Sequence, residues 1–383
     1  MRVPSRAAAR SLLQALLPSA LIAATGACMA ACSAPPPTTA GATLHRFREM
    51  IMGVEVRIVI DDDSAELATR SARAAFDAVR NVDESISDWT ASSALAATLR
   101  AAEAAPAGTP VPANAILVDA ARRAAEMSRL TDGAFDCTAA PLVAVWREAR
   151  RAGAPPADDA IAQAMKRVGS RHLHADPSQG TLRFDIREMS LDFGGIGKGI
   201  ASAAAVAAAR RDGCDRVLVA VSGDVAAGAA PRGREGWQVA IESGLGSLEP
   251  CVVWLRESAL STSGDAEQVL VHGGTRHSHI VDPRTGKAVT DAIAPTVWSP
   301  DAAVADAAAT ALSVLGVRAM DSLCARIRAT GVPIEMRVAY RDAPGGPVQV
   351  RSTPGFPPCV SAAAMEPGRA PRVPQDSAAT GIR

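Results

Sequence analysis

Three short segments hold residues that can do chemistry together. The densest is Leu191-Asp192-Phe193-Gly194-Gly195-Ile196-Gly197-Lys198-Gly199. Closely spaced glycines let backbone N–H and C=O groups approach a ligand without Cβ interference. A lysine at the start of the following helix favours a negative group there. The loop is not a Walker A motif, because Gly199 follows Lys198 where Ser or Thr is required, and it is not G-x-G-x-x-G. It reads as a structural strand-to-helix turn or as a polyphosphate site, and Asp192 and Lys198 bracketing the glycines favour the second. The next segment is His277-Ser278-His279-Ile280-Val281-Asp282-Pro283-Arg284-Thr285-Gly286-Lys287. Asp282 to Gly286 is a turn by composition, and His279 beside it is the group best suited to act as a base near neutral pH, or a structural histidine. The third is Asp306 and Thr310 in an alanine-rich run. Four residues apart on a helix, they share one face. That pair is a solvated i,i+4 pair or part of a hard-cation site of Mg²⁺ type.

The elements that must position these groups follow from hydrophobic periodicity. Thr43–Ile60 holds two strand-like runs, the second alternating as Val54, Val56, Ile58 and Ile60. Ser64–Ile86 is an amphipathic helix capped by Ser64. Helical patterns recur at Pro112–Leu130, Pro141–Arg151, Gly199–Arg211 and Asp301–Leu315. Strands are expected near Leu173, at Leu182–Phe184, Ser190–Phe193 and Val217–Val221, and in a meander from Trp237 to Ile280. This pattern predicts one mixed α/β (α+β) domain over residues 43–340. Residues 341–383, rich in Pro, Gly, Ala and Arg, read as a disordered tail.

The first 31 residues read as a signal peptide, with Arg2, Arg6 and Arg10 before an apolar stretch. Small residues crowd Cys32, as in a bacterial lipoprotein box, and a Pro/Thr-rich linker spans 32–42. The expected location is therefore periplasmic, with the membrane touched only through a lipid on Cys32. Forty Lys+Arg balance forty Asp+Glu. Without the signal segment, 37 cations face 40 anions, and no basic footprint for nucleic acid exists. Five cysteines follow Cys32, at 137, 214, 251, 324 and 359. None shows C-x-x-C spacing, and the odd set reads as buried thiols.

Taken in order, these segments resemble the FAD:protein FMN transferase (ApbE) family of periplasmic flavin transferases. The resemblance runs from about Arg46 to Tyr340. It includes Met52-Gly53, Ser87-Asp88-Trp89, Gly133-Ala134-Phe135-Asp136, the Asp192–Gly199 loop, Thr262-Ser263-Gly264-Asp265, His279–Gly286 and Ala305–Thr310. It implies a T-fold-like single domain with mixed sheets and packed helices. FAD would be contacted by Met52, Trp89, Ala134, Phe135, Asp136, Asp192 and Lys198, and by Ile280 through its backbone. Mg²⁺ would be held by Asp306, Thr310 and the Gly195 carbonyl, with His279 as general base. The implied reaction moves FMN from FAD to a Ser/Thr hydroxyl of an acceptor protein, such as a redox-complex subunit, and releases AMP. The alternatives are an FAD pyrophosphatase and a non-catalytic flavin-binding lipoprotein. Val54 stands where Thr is usual in the family, Ala94 and Leu99 where Glu and Asn are common, and Ser222-Gly223-Asp224 replaces a Gly-Gly-Asn-like turn. Ser377, Ala379 and Thr380 fit the family's acceptor pattern, with Pro374 at the position of its Asp.

Overall fold

The alternation at residues 54–60 produces the expected hairpin. Strands β1 (Leu44–Ile51) and β2 (Val54–Asp61) pair antiparallel, and Val56, Ile58 and Ile60 are fully buried. The computed structural model describes residues 42–361 apart from 243–244, 246–250, 265–268 and 344. The chain divides into Met1–Thr39 and Ala40–Arg383, and every described residue belongs to the second unit. The signal segment, Cys32 and its linker up to residue 41, Asp265 and the Ser377–Thr380 stretch lie outside the described residues.

Helix α1 (Ala65–Ile86) follows β2, its first turn closed by the Ser64 hydroxyl accepting from Leu67 N at 3.1 Å. Helix α2 (Ala94–Ala104), strand β3 (Pro110–Pro112), helices α3 (Ala115–Leu130), α4 (Ala140–Ala152) and α5 (Asp158–Met165), and strands β4 (Leu173–Asp176) and β5 (Thr181–Phe184) come next. Helix α6 (Gly197–Arg211) leads into β6 (Val217–Val221) and β7 (Asp224–Ala227). The meander holds β8 (Trp237–Ile241), β9 (Cys251–Leu255), β10 (Ser258–Thr262), β11 (Leu270–His272), β12 (Thr275–His277) and β13 (Ile293–Ser299). Helices α7 (Ala302–Leu315) and α8 (Met320–Arg328) and strands β14 (Glu335–Tyr340), β15 (Gln349–Ser352) and β16 (Val360–Ser361) complete the described fold.

The main sheet has eight strands in the order β1-β2-β6-β7-β10-β13-β14-β15, every ladder antiparallel. Helices α1, α6 and α7 pack on one face. Helix α6 buries Ala201, Ser202, Ala205 and Ala209, small side chains that let it lie against both α1 and α7. The other face carries a three-stranded sheet, β16-β9-β8, whose Trp237, Val253 and Leu255 pack with Leu218, Val225 and Trp298. The mixed α/β class agrees with the periodicity. Ser190–Phe193 is a correction: it forms no ladder and is pinned instead by Asp192 N donating to the Cys137 carbonyl at 2.7 Å.

Two further expectations change. The ordered chain does not stop at Tyr340, since β15 pairs with β14 and β16 pairs with β9. Of the five cysteines, Cys251 and Cys359 form a disulfide across 108 residues, and only Cys137, Cys214 and Cys324 are buried thiols. A pair that distant leaves no local spacing to read. Because the bridge ties residue 359 to β9 across a 108-residue separation, replacing both cysteines by serine is expected to cost about 2–3 kcal/mol. Urea unfolding under non-reducing conditions measures this, and equal midpoints for variant and parent would rule the bridge out as a stabilising element.

Candidate active site

Helices α6 and α7 cross where both begin. Asp301 caps α7 by accepting from Ala303 N and Val304 N. Asp306, one turn further on and 1% exposed, accepts from Gly199 N at 2.9 Å through Oδ2. The approach requires glycine at 199, because a Cβ there would lie 2.3 Å from the Ala302 carbonyl oxygen and 2.9 Å from Asp306 Cβ. Lys198 sits beside this contact. Its Nζ lies 2.7 Å from Asp224 Oδ2 and 3.7 Å from Asp306 Oδ1. Burial works against the ammonium, but the two carboxylates outweigh it and hold the lysine above its ordinary range. Burial and the Asp224 charge push the Asp306 carboxyl up to about 7, against the pull of Lys198.

Thr310 continues the same face of α7. Its Oγ1 donates to the Gly195 carbonyl at 3.4 Å and lies 3.5 Å from Ser263 Oγ. A Cβ on Gly195 would meet Thr310 Oγ1 at 2.8 Å, so only glycine keeps this carbonyl and hydroxyl together. Among the described residues no group of three or more His, Cys, Asp and Glu is placed to hold a metal. A cation here must therefore draw on main-chain and hydroxyl oxygens. Gly195 O, Thr310 and, one helical turn before it, Asp306 are all oxygen donors, the ligand type a hard divalent ion takes.

A cleft of about 770 Å³ opens above this centre. Trp89, Ala134, Phe135, Asp136, Asp192, Gly195, Lys198, His279, Ile280 and Thr310 all line it, so most of the sequence-derived site converges. Asp306 is buried and not among the lining residues; its Oδ1 lies 3.7 Å from Lys198 Nζ. Asp192 accepts from Gly194 N at 2.7 Å, and burial, then the nearby Asp88 charge, raise its carboxyl. Three of the expected site residues have other contacts in the fold. Met52 is not among the lining residues; its Cε lies 3.7 Å from where a Gly197 Cβ would be, over the first turn of α6. Asp136 lines the cleft, but its carboxylate accepts from Thr138 N and Oγ1, Ser170 N and Ser128 Oγ. Its charge is spent on holding the loop. Ile280 donates its N–H to Ser278 Oγ and accepts from Val289 N, so its backbone already has protein partners.

His279 lies two residues past β12, on a hairpin closed by the Val281–Ala288 bridge. Asp282 shapes its turn, accepting from Arg284 N, Nε and Nη2, each at 2.9 Å. Trp146 of α4 anchors the hairpin, donating Nε1–H to the Gly286 carbonyl at 2.8 Å. Trp146→Phe keeps an aromatic ring but loses part of the indole's volume and leaves that carbonyl without its donor. The expected cost is about 1–2 kcal/mol in urea unfolding, and unchanged stability would show that the bond contributes nothing.

The sequence reading overlooked two features. Asp224, noted there only as a departure in a turn, is 3% exposed, accepts from Ser261 Oγ and is the nearer partner of Lys198. Arg147, Arg150 and Arg151 on α4 also line the cleft. Arg147 Cζ lies 3.9 Å from the centre of the Trp89 ring, and its guanidinium is 3.4 Å from Asp88 and 3.9 Å from Asp192. Their i, i+3, i+4 spacing was the available signal.

Residues 52–332 match the model of the ApbE family. A FAD:protein FMN transferase of Klebsiella pneumoniae is 30% identical over 319 residues, covering 79% of this chain and 86% of the relative. One of Treponema pallidum is 31% identical over 246 residues, covering 60% and 67% respectively. The crystal structure of the flavinyl transferase ApbE from Pseudomonas stutzeri, in its apo form, superposes with a TM-score of 0.70 at 25% identity, covering 82% of this chain and 96% of that one. With the glycine loop, the α7 pair and the histidine hairpin assembled around one cleft and a family model matched over most of its length, the chain belongs to the ApbE family.

Proposed function

We propose that this protein transfers the FMN moiety of FAD to a Ser or Thr hydroxyl of an acceptor protein and releases AMP. The observation that carries this reading is the meeting of Lys198, the Asp192–Gly195 loop and Thr310 in the lining of one large cleft, with Asp306 buried against Lys198 and Gly199. FAD lies along the cleft with Trp89, Ala134 and Phe135 against its rings. Lys198 faces the pyrophosphate, and the glycines of the loop let it approach the main chain without Cβ interference. Asp306, Thr310 and the Gly195 carbonyl are the residues that would hold Mg²⁺, whose charge, when bound, offsets that of the pyrophosphate. The acceptor oxygen attacks the FMN-side phosphorus, its proton passes to the His279 imidazole, and AMP departs with the bridging oxygen. Positioning and charge neutralisation do most of the work in such a step.

The segment around Arg2, Arg6, Arg10 and Cys32 supports an exported, lipid-anchored protein, and the Cys251–Cys359 bridge supports an oxidising compartment. To test the activity, the purified protein is incubated with FAD, Mg²⁺ and a synthetic peptide carrying Asp-x-x-Ser-Gly-Ala-Thr. Equal amounts of AMP and FMN-modified peptide are expected, and EDTA should stop both. AMP with equal free FMN and an unmodified peptide would make the protein a pyrophosphatase instead.

A further inference from the structure

A second groove, of about 530 Å³, meets the FAD cleft at its floor. Ser222, Gly223 and Thr262 line both spaces. These three residues adjoin the reacting centre: Asp224, the partner of Lys198, follows Gly223, and Ser263, 3.5 Å from Thr310 Oγ1, follows Thr262. A nucleophile that must reach a phosphorus at the bottom of an FAD-filled cleft needs an entrance of its own, and this groove opens at the required point.

The groove's walls indicate what enters. Gln238, Val239 and Ala240 of β8 all line it. Consecutive strand residues point to opposite faces, so a space that touches all three touches the edge of the strand. In the sheet order β16-β9-β8, β8 is terminal, and its only ladder among the described residues is to β9. Alternate N–H and C=O groups along its outer side therefore have no ladder partner among the described residues and can take a further strand. The facing wall is the main sheet where it runs out from under the small sheet: Val59, Leu218 and Val225 pack partly against that sheet, and their half-buried side chains also line the groove.

We propose that an extended segment of the acceptor protein adds to the free edge of β8, turns alternate side chains onto the Val59–Leu218–Val225 wall, and so carries its hydroxyl past Gly223 to the phosphorus. Main-chain hydrogen bonds supply affinity and the apolar wall supplies selectivity for small or apolar side chains at every second position. This rests on the flavin-transfer reading above, and names the partner's binding mode for that site.

The test uses the full protein, FAD, Mg²⁺ and the Asp-x-x-Ser-Gly-Ala-Thr peptide extended on both sides, N-methylated at one backbone nitrogen at a time. Methylation should divide the positions into two alternating classes, one losing FMN transfer at least tenfold and the other labelled like the parent. Ala240→Trp, which fills the groove at the strand edge, should lower peptide labelling at least tenfold while FAD affinity, followed by flavin fluorescence, stays within twofold. Equal labelling of all methylated peptides, or parental labelling by Ala240→Trp, overturns the docking mode while leaving flavin transfer intact. No AMP release by the parent protein overturns the flavin-transfer reading, and the docking mode with it.

Discussion

Asp306→Ala should lower Mg²⁺-dependent AMP release by about 10³-fold or more, the equivalent of roughly 4 kcal/mol of transition-state stabilisation. The side chain is the only carboxylate in the Gly195–Asp306–Thr310 oxygen set, and a carbonyl and a hydroxyl alone hold a hard cation poorly. The fold should survive. Lys198 keeps Asp224 at 2.7 Å, and the main loss is the acceptor of Gly199 N–H. One buried donor left open costs about 1–3 kcal/mol. The expected variant is therefore folded, binds FAD more weakly and no longer responds to Mg²⁺. Unchanged AMP release over an Mg²⁺ titration would remove Asp306 from the metal set.

Gly199→Ala attacks the same centre by geometry alone. The added methyl would lie 2.3 Å from the Ala302 carbonyl oxygen, and that oxygen is backbone and cannot rotate away. The N-terminal turns of α6 and α7 must move apart. Overpacking of this kind costs about 3 kcal/mol, and the shift draws Gly199 N away from Asp306 and Lys198 away from both carboxylates. A displacement near 1 Å at reacting groups costs about 10²-fold in rate. Loss of thermal stability together with loss of AMP release is the expected result. Parental stability and rate would mean that the two helices are not in contact at this point.

The sequence made the local chemistry legible. The Ser64 cap, the alternation at residues 54–60 and the Asp306–Thr310 spacing each concern residues within a few positions of one another, and each stands in the structure as read. What depended on long-range pairing was hidden. Asp224 acquires its role because strand order puts β7 beside β10 and α6 above it, bringing Ser261 and Lys198 to it from 37 residues downstream and from a separate element. The Cys251–Cys359 bridge and the β16–β9 ladder are equally non-local, which is why the chain beyond Tyr340 read as a tail. The family resemblance located Met52, Asp136 and Ile280 near the site, but the polar groups of Asp136 and Ile280 turn out to hold loops. Residue type and position do not reveal whether a carboxylate is already engaged.

Lys198 links the two levels. It lies between two buried carboxylates, and a pair of carboxylates so placed is costly without a cation. Its positive charge is thus both structural and available to a phosphate from the cleft side, where the lysine remains partly exposed. In the proposed flavin transfer, a single charged residue thereby ties the stability of the α6–α7 crossing to the recognition of substrate.

Mass spectrometry of the reaction run in oxygen-18 water, with FAD, Mg²⁺ and the acceptor peptide, tests the central claim most directly. Attack by the peptide hydroxyl on the FMN-side phosphorus predicts a peptide heavier by one FMN unit and AMP free of oxygen-18. Oxygen-18 in AMP would place the attack on the other phosphorus, and an unmodified peptide beside oxygen-18-labelled FMN would show water, not a protein hydroxyl, to be the nucleophile.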